Sequence, residues 1–499
     1  MVFFVFCLVI LAAIGISLLS RRGMVKNSIN DVLVASGSFG PMLLFFIMVG
    51  EVYTTGTVLG APGAIYSRGA GYGFWFINYI LLAYVISYYM SPAIWRMGRL
   101  CNGATVGDIL GWRFDSRAVQ LIVAFCGIVF LIPNVQLQLT GLGIVFQYLD
   151  LGVDFQTGVI LSILLSFLMV VISGIRAPAY VSILKDFLLI FAVIAVGAVC
   201  IANTQGGVYG IFNGVAEKMP QLLTVPSDPP TAGLTFTMST IFFQMLGFNL
   251  YPLLVAGTLT STSERNIRRN AIIMPIYMIM FPFLVISAYF ALLSLPGLEK
   301  GDYAILAVAM TYLPGWVVGL IAGGIALTGT LVVCVNVLAI GGLFSKNVLQ
   351  VVKPGVSQRT LILSVRSATA IVLLISGYMT LAMPNMMATI INIGYNGMSQ
   401  LLVPFLFAFF WKKGNKEGVV AGMAVAIAFL FFYSGPTPWA LNRGFCALIL
   451  NFAVAIPVTL LTQPQASAVT RFEEFRKAPA NRRFAASASA PAQSDGAGH

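Results

Sequence analysis

Three charged side chains sit well inside apolar stretches of this sequence: Glu51, Lys185 and Asp186. At bilayer depth an ionised group costs about 3 kcal/mol or more, so such residues mark an ion or solute path or lock helices together as ion pairs. Both readings stand for Lys185 and Asp186. They are neighbours, about 100° apart around a helix, so the two are not expected to face each other, and one could pair with a neighbouring helix instead. Glu51 is either a working carboxyl or a protonated, hydrogen-bonded one. Uncharged polar side chains gather in four places: Thr54, Thr55 and Thr57; Asn134, Gln136 and Gln138; Gln244, Asn249 and Tyr251; and Asn392, Tyr395 and Asn396, in an expected helix break beside Gly394 and Gly397. Hydroxyls and amides in such settings either hold a small polar solute or glue helices to one another.

Other chemistries are poorly served. The single histidine is His499, the last residue, which removes histidine relays, most zinc sites and most histidine-based catalysis. The six cysteines (7, 101, 126, 200, 334 and 446) are scattered without ligand spacing and read as small buried hydrophobes. No catalytic residues and no metal site are expected, and the chain is not expected to be an enzyme.

The elements that must carry these residues follow from composition. The chain of 499 residues is 59% hydrophobic and 9% charged, against about 25% charged for a soluble domain. It is an all-α integral membrane protein. Apolar runs of spanning length fall near 2–20, 40–63, 72–94, 118–148, 156–173, 179–202, 235–258, 271–295, 316–345, 361–381, 389–411, 417–434 and 444–462, predicting 13 transmembrane helices. Basic residues alternate with this count. Arg21, Arg22 and Lys26 follow the first run; Arg96, Arg99, Arg113 and Arg117 the third; Arg176 the fifth; Arg265, Arg268 and Arg269 the seventh. Lys346, Lys353 and Arg359 follow the ninth, and Lys412, Lys413 and Lys416 the eleventh. The intervening loops hold only Arg68, Lys218 and Lys300. The net charge of +12 therefore reports topology, with the N-terminus outside and the C-terminus cytoplasmic, and not a nucleic-acid partner. The first run carries its charges after its apolar core, unlike a cleavable signal, and is read as an uncleaved span. Residues 1–463 form one transmembrane domain with long outer loops at 203–234 and 296–315. Residues 464–499, rich in Ala, Ser and Pro, read as a disordered cytoplasmic tail.

Residues 42–63 are long enough to span, yet carry Gly50, Gly56, Gly60, Gly63 and Pro62 beside their threonines. Broken backbone survives at membrane depth only inside protein or beside a wet cavity, where transporters hold solute and coupling ion. The run at 235–258 is interrupted in the same way, by Gly247 and Pro252. It lies five spans later, so two inverted repeats, about 40–202 and 235–411, are expected to form a leucine-transporter-type 5+5 core.

Several motifs resemble the sodium/solute symporter family along nearly the whole membrane part. Residues 56–69, GTVLGAPGAIYSRG, look like that family's first core helix. Residues 174–179, GIRAPA, leading to Leu184, Lys185 and Asp186, are similar to its monocarboxylate-permease branch. So are residues 250–252, LYP, followed by 267–270, IRRN, and Pro275, and residues 343–347, LFSKN. The branch has a histidine after Tyr-Pro, where this chain has Leu253. The resemblance implies a multi-pass symporter of the plasma (bacterial inner) membrane that takes up a small organic anion, a monocarboxylate, by alternating access. A neutral solute such as an amino acid or vitamin is the alternative. It implies a solute site at Thr54, Gly56, Thr57, Asn249 and Tyr251, and a cation site at the carbonyls of Gly50 and Tyr53 with Ser182, Lys185, Thr328 and Thr330. Sodium-coupled relatives place two neighbouring hydroxyls where this chain has Leu331 and Val332, an acid at Ser182 and an uncharged amide at Lys185. A lysine desolvated in that place could load and release a proton, so the coupling ion is sodium or a proton. The expected partners are the solute and the lipid bilayer, with no further cofactor and no obligate protein partner.

Overall fold

A computed structural model describes residues 1–22, 28–148, 152–225 and 233–478. Among them the architecture is helical, with one isolated β-bridge between Phe39 and Ser261. Ten helices are long and apolar enough to cross a membrane, and twelve if each of two bent pairs counts as one span. This is fewer than the expected 13. The run at 417–434 forms Lys416–Phe432, whose 17 residues lie at the lower limit for a span.

Two spans are bent. Pro41–Val52 and Gly56–Arg68 meet at 45°, and Leu234–Leu250 and Pro252–Leu259 meet at 42°. A third break, expected around Gly394 and Gly397, does not form. Met387–Met398 is continuous and passes through a tight turn, Ser399–Leu401, into Leu402–Phe410. Its glycines serve close packing instead: a Cβ on Gly397 would overlap the ring of Phe130, and one on Gly394 would lie 3.2 Å from Tyr251 Oη.

The span Gly315–Gly342 is buried almost without interruption from Val317 onward. Gly319 and Gly323, four residues apart, let the first helix, Val2–Leu19, approach, since a Cβ on either would stand 2.8 Å from Val5 Cβ or Val9 Cβ. Small residues at this spacing are how membrane helices gain contact without a hydrophobic drive between them.

The loops rich in basic residues meet at one end of the bundle. Arg176 pairs with Asp31 at 2.7 Å, Lys346 with Asp108 at 2.7 Å and Arg268 with Glu264 at 2.8 Å. Arg113 is fully buried there and donates to the carbonyls of Ala408, Ala468 and Trp411. Burial pulls its guanidinium down to about 10. Ala468 belongs to Ala466–Lys477, so the first part of the expected disordered tail is instead a docked helix. Phe475 stacks on Phe409 and Lys412 pairs with Glu473 at 2.6 Å. Apolar Phe472 and Phe475 supply the buried face that an isolated tail would lack. The remainder of the tail, 479–499, lies outside the described residues.

At the other end, the expected loop 296–315 also folds inward. It contains Ala304–Tyr312, buried through Ile305 to Ala309. Asp302, just before it, seats on Gly63 of the first bent span and accepts from Met387 N–H at 3.4 Å.

Candidate functional site

In the first bent span, Pro41–Val52 ends at Tyr53, whose φ of −94° and ψ of 85° leave the helical region. The chain resumes as a wide-turned stretch, Gly56–Gly60, with Ala61 N–H bonded back to Gly56 O, and runs on as Ala61–Arg68. Peptide and hydroxyl groups freed by such a break need new partners in a dry interior. Gln138 Oε1 accepts from both the Thr55 N–H, at 3.2 Å, and the Thr55 hydroxyl, at 2.7 Å. Thr57 donates its hydroxyl to Val52 O at 3.1 Å, and Thr54 Oγ accepts from Gly56 N–H at 3.1 Å. Gln138 in turn donates to Asn134 at 3.4 Å, Asn134 to Asn336 at 3.2 Å and Asn336 to Val332 O at 2.8 Å. A row of amides thus props the break against Arg117–Tyr148 and Gly315–Gly342. Gln136 is glue of the ordinary kind, donating to Met379 O and Met383 O at 3.2 Å.

The second bent span turns at Tyr251, where ψ is 128°, and restarts at Pro252. Proline brings no N–H to strand, so a half-helix starts there at low cost.

Both breaks open on one cavity of about 50 Å³, room for roughly three or four water-sized groups. Its polar wall is Glu51, Thr54, Thr57, Asn134, Tyr251 and Tyr395, and Phe76, Tyr79, Phe248 and Ile391 form part of the rest. Tyr395 stands edge-on to Tyr251 at 4.7 Å and to Tyr79 at 5.2 Å. Glu51 is 8% exposed, and its Oε2 has no hydrogen-bond partner among the described residues.

Of the expected solute residues, Thr54, Thr57 and Tyr251 line this cavity. Gly56 stands behind the wall: a Cβ on it would meet Ile391 Cδ1 at 3.0 Å and Leu137 Cδ2 at 3.1 Å. Asn249 is elsewhere. The tight turn Phe248–Leu250 aims it at the span Ala70–Leu100, where it accepts from the Ser87 hydroxyl and donates to Ala83 O at 3.3 Å. Gln244 likewise bonds sideways, to Asn392 at 2.9 Å. The wall also includes Phe76 and Tyr79, which the sequence reading did not single out. They sit in a run from Tyr72 to Tyr89 so rich in aromatics that no one ring stands out.

Of the expected cation residues, three come together. A Cβ on Gly50 would lie 3.2 Å from Lys185 Nζ and 3.6 Å from Ser182 Cβ. Tyr53 is buried beside them, accepting from Tyr84 at 3.3 Å with its ring 5.1 Å from that of Tyr277. Ser182 and Thr328 spend their hydroxyls on their own helices, on Ala179 O and Gly324 O at 2.8 Å. Thr330 is buried with its hydroxyl unpaired. Lys185 and Asp186 do pair with each other, contrary to expectation, at 2.5 Å and with neither side chain exposed. Angular separation on the helix does not prevent this, because the four-carbon lysine stem reaches around to its neighbour.

The chain is similar to known proteins along most of its length. Residues 33–426 match the family described as "Sodium:solute symporter family". The uncharacterized symporter YhjB of Bacillus subtilis (strain 168) is 29% identical, over 92% of this chain and 97% of its own. A monocarboxylate transport permease protein of Rhizobium johnstonii is 25% identical, over 93% of this chain and 97% of its own. Among solved structures, a Na⁺-coupled sialic acid symporter in a substrate-bound, outward-open state superposes with a TM-score of 0.76 at 18% identity, covering 93% of this chain and 98% of that one. The match covers most of the chain's length: this chain belongs to the sodium:solute symporter family.

Proposed function

We propose that the protein takes up a small organic anion, a monocarboxylate, driven by a cation gradient and by alternating access. The observation that carries this reading is the cavity onto which both helix breaks open. Thr54, Tyr251 and Tyr395 offer hydroxyls to a carboxylate, and the half-helix beginning at Pro252 presents its positive end near the same space. The size of the cavity suits a solute of few atoms, and the likeness to a monocarboxylate transport permease supports the class. In this reading the two bends of 45° and 42° belong to inverted 5+5 repeats in a plasma-membrane protein of 13 spans, with its base-rich end in the cytoplasm.

Lys185, paired with Asp186 beside Gly50, places its ammonium group where a bound sodium ion would otherwise be wanted. Uptake is therefore independent of sodium. A neutral solute is the second reading, favoured by one feature: the cavity wall holds Glu51 and no lysine or arginine among the described residues.

The test is uptake of radiolabelled pyruvate, lactate and acetate by proteoliposomes, with proline and pantothenate as competitors. The expected outcome is saturable uptake, inhibited by the acids alone and unchanged when sodium is replaced by choline. Lys185→Ala alone would strand a buried Asp186, so the pair is removed together as Lys185→Met with Asp186→Leu. Strictly sodium-dependent uptake that survives this double change contradicts the role given to Lys185. Competition by proline or pantothenate and not by the acids contradicts the carboxylate reading.

A further inference from the structure

Glu51 is used by nothing described so far. It is the next-to-last residue of the helix before the first break, is nine-tenths buried, lines the cavity and leaves Oε2 without a partner among the described residues. An unpaired buried carboxylate oxygen is costly to keep, so it is a group waiting for a partner.

Its surroundings define that partner. From the span Arg176–Ala202, Lys185 and Asp186 are close enough to act on it electrostatically, and from Gly315–Gly342 so is Cys334. Tyr79, Tyr251 and Tyr395 line the cavity with it, and Tyr53 follows it on its own element. Lys185 is the one cation in this group, and Asp186 already neutralises it at 2.5 Å. The cavity wall itself holds no lysine or arginine among the described residues, so an incoming anion meets Glu51 with no cation in the wall beside it.

A carboxylate solute would therefore meet a second carboxylate in a dry space, where like charges a few ångström apart repel strongly. One proton shared between the two converts that repulsion into a short, charge-assisted hydrogen bond. Resting on the carboxylate reading above, we infer that Glu51 carries the coupling proton and presents it to the carboxylate of the solute. With the cavity open outward, the Glu51 carboxylate takes one proton from the outside water. It then donates a hydrogen bond to the solute anion. With the cavity open inward, the solute and that proton leave to the inside, and Glu51 returns as the carboxylate. Each cycle moves one proton and one anion, so transport is electroneutral. It responds to a pH gradient and not to membrane potential.

The test uses full-length protein in proteoliposomes carrying a trapped pH indicator, with radiolabelled pyruvate, lactate and acetate. Wild type is expected to bring in one proton per acid molecule, with a rate unchanged when valinomycin and potassium set the membrane potential. Glu51→Gln keeps the shape and a donor but cannot titrate. It is expected to lose accumulation in response to a pH gradient, by tenfold or more, while solute counterflow stays measurable with an altered KM. Glu51→Asp is expected to keep gradient-driven accumulation with a raised KM. Acid uptake by wild type without proton entry contradicts the inference and needs no variant to do so. Undiminished pH-driven accumulation by Glu51→Gln also contradicts it, as does loss of counterflow in a Glu51→Gln protein that remains folded and monodisperse. In these cases the carboxylate reading survives. Wild type that exchanges none of the three acids contradicts that reading and the inference together.

Discussion

Buried charge is where single residues in this protein act most visibly. Lys185 and Asp186 neutralise one another with no exposure, and Glu51 nearby is left unpaired. The sequence located all three but misjudged the pairing, because angular position on a helix does not record how far a lysine stem can bend. Asp302 is a fourth case, outside the spans. It is nine-tenths buried, with Met387 N–H on one oxygen and no partner on the other among the described residues, and burial pushes its carboxyl up to about 6. The folded protein therefore binds more protons at this site than the unfolded chain between about pH 4 and 6. Stability from this residue is present at low pH and lost as pH rises through that window. Asp302→Asn keeps an acceptor for Met387 and removes the charge. It should stabilise the detergent-solubilised protein at pH 7.5, by at most about 3 kcal/mol. It should also flatten the fall in Tm that wild type shows from pH 5 to 7.5. Equal pH slopes in the two proteins would remove Asp302 as the cause.

Whole elements depend on how the breaks are propped. The first break was legible because glycines, a proline and threonines crowd a spanning run, and the second because Pro252 interrupts another. The third was misread, because composition does not distinguish a glycine that unwinds a helix from one that admits a neighbour. Gly397 is of the second kind, filled by the ring of Phe130. Nor did the sequence show what holds the first break in place. Gln138 does so by accepting both the N–H and the hydroxyl of Thr55, a pairing 83 positions apart that no local pattern announces. Gln138→Leu would strand two buried donors, costing about 1–3 kcal/mol for each. The expected result is a lower Tm in detergent and weaker uptake at normal expression. A Tm equal to wild type would mean that the break is satisfied by other groups.

At the scale of the molecule, charge alternation grouped loops whose Arg113, Arg176, Arg268 and Lys346 the structure ties to neighbouring segments by hydrogen bonds and ion pairs. It could not reveal that the segment 296–315 folds inward onto Gly63, or that the helix Ala466–Lys477 docks on Arg113. Both depend on contacts between distant parts of the chain. The aromatic wall of the cavity was hidden for a similar reason. Tyr79 and Phe76 differ from the other rings of their span only by the direction in which the folded helix faces. What unites these parts is a cavity formed where two interrupted spans meet, and the account stands on that cavity being where the solute binds. Tyr251 is the cleanest probe of it. Its ring is buried in the cavity wall, and its hydroxyl makes no hydrogen bond to the described residues, so the hydroxyl can be removed without breaking a structural contact. The decisive measurement is the KM for radiolabelled acid uptake by Tyr251→Phe in proteoliposomes, alongside its Tm. The account predicts a KM raised about tenfold, one lost hydrogen bond to a charged group, with Tm unchanged. A KM equal to that of wild type in a protein of equal stability would place the solute somewhere other than between the two breaks.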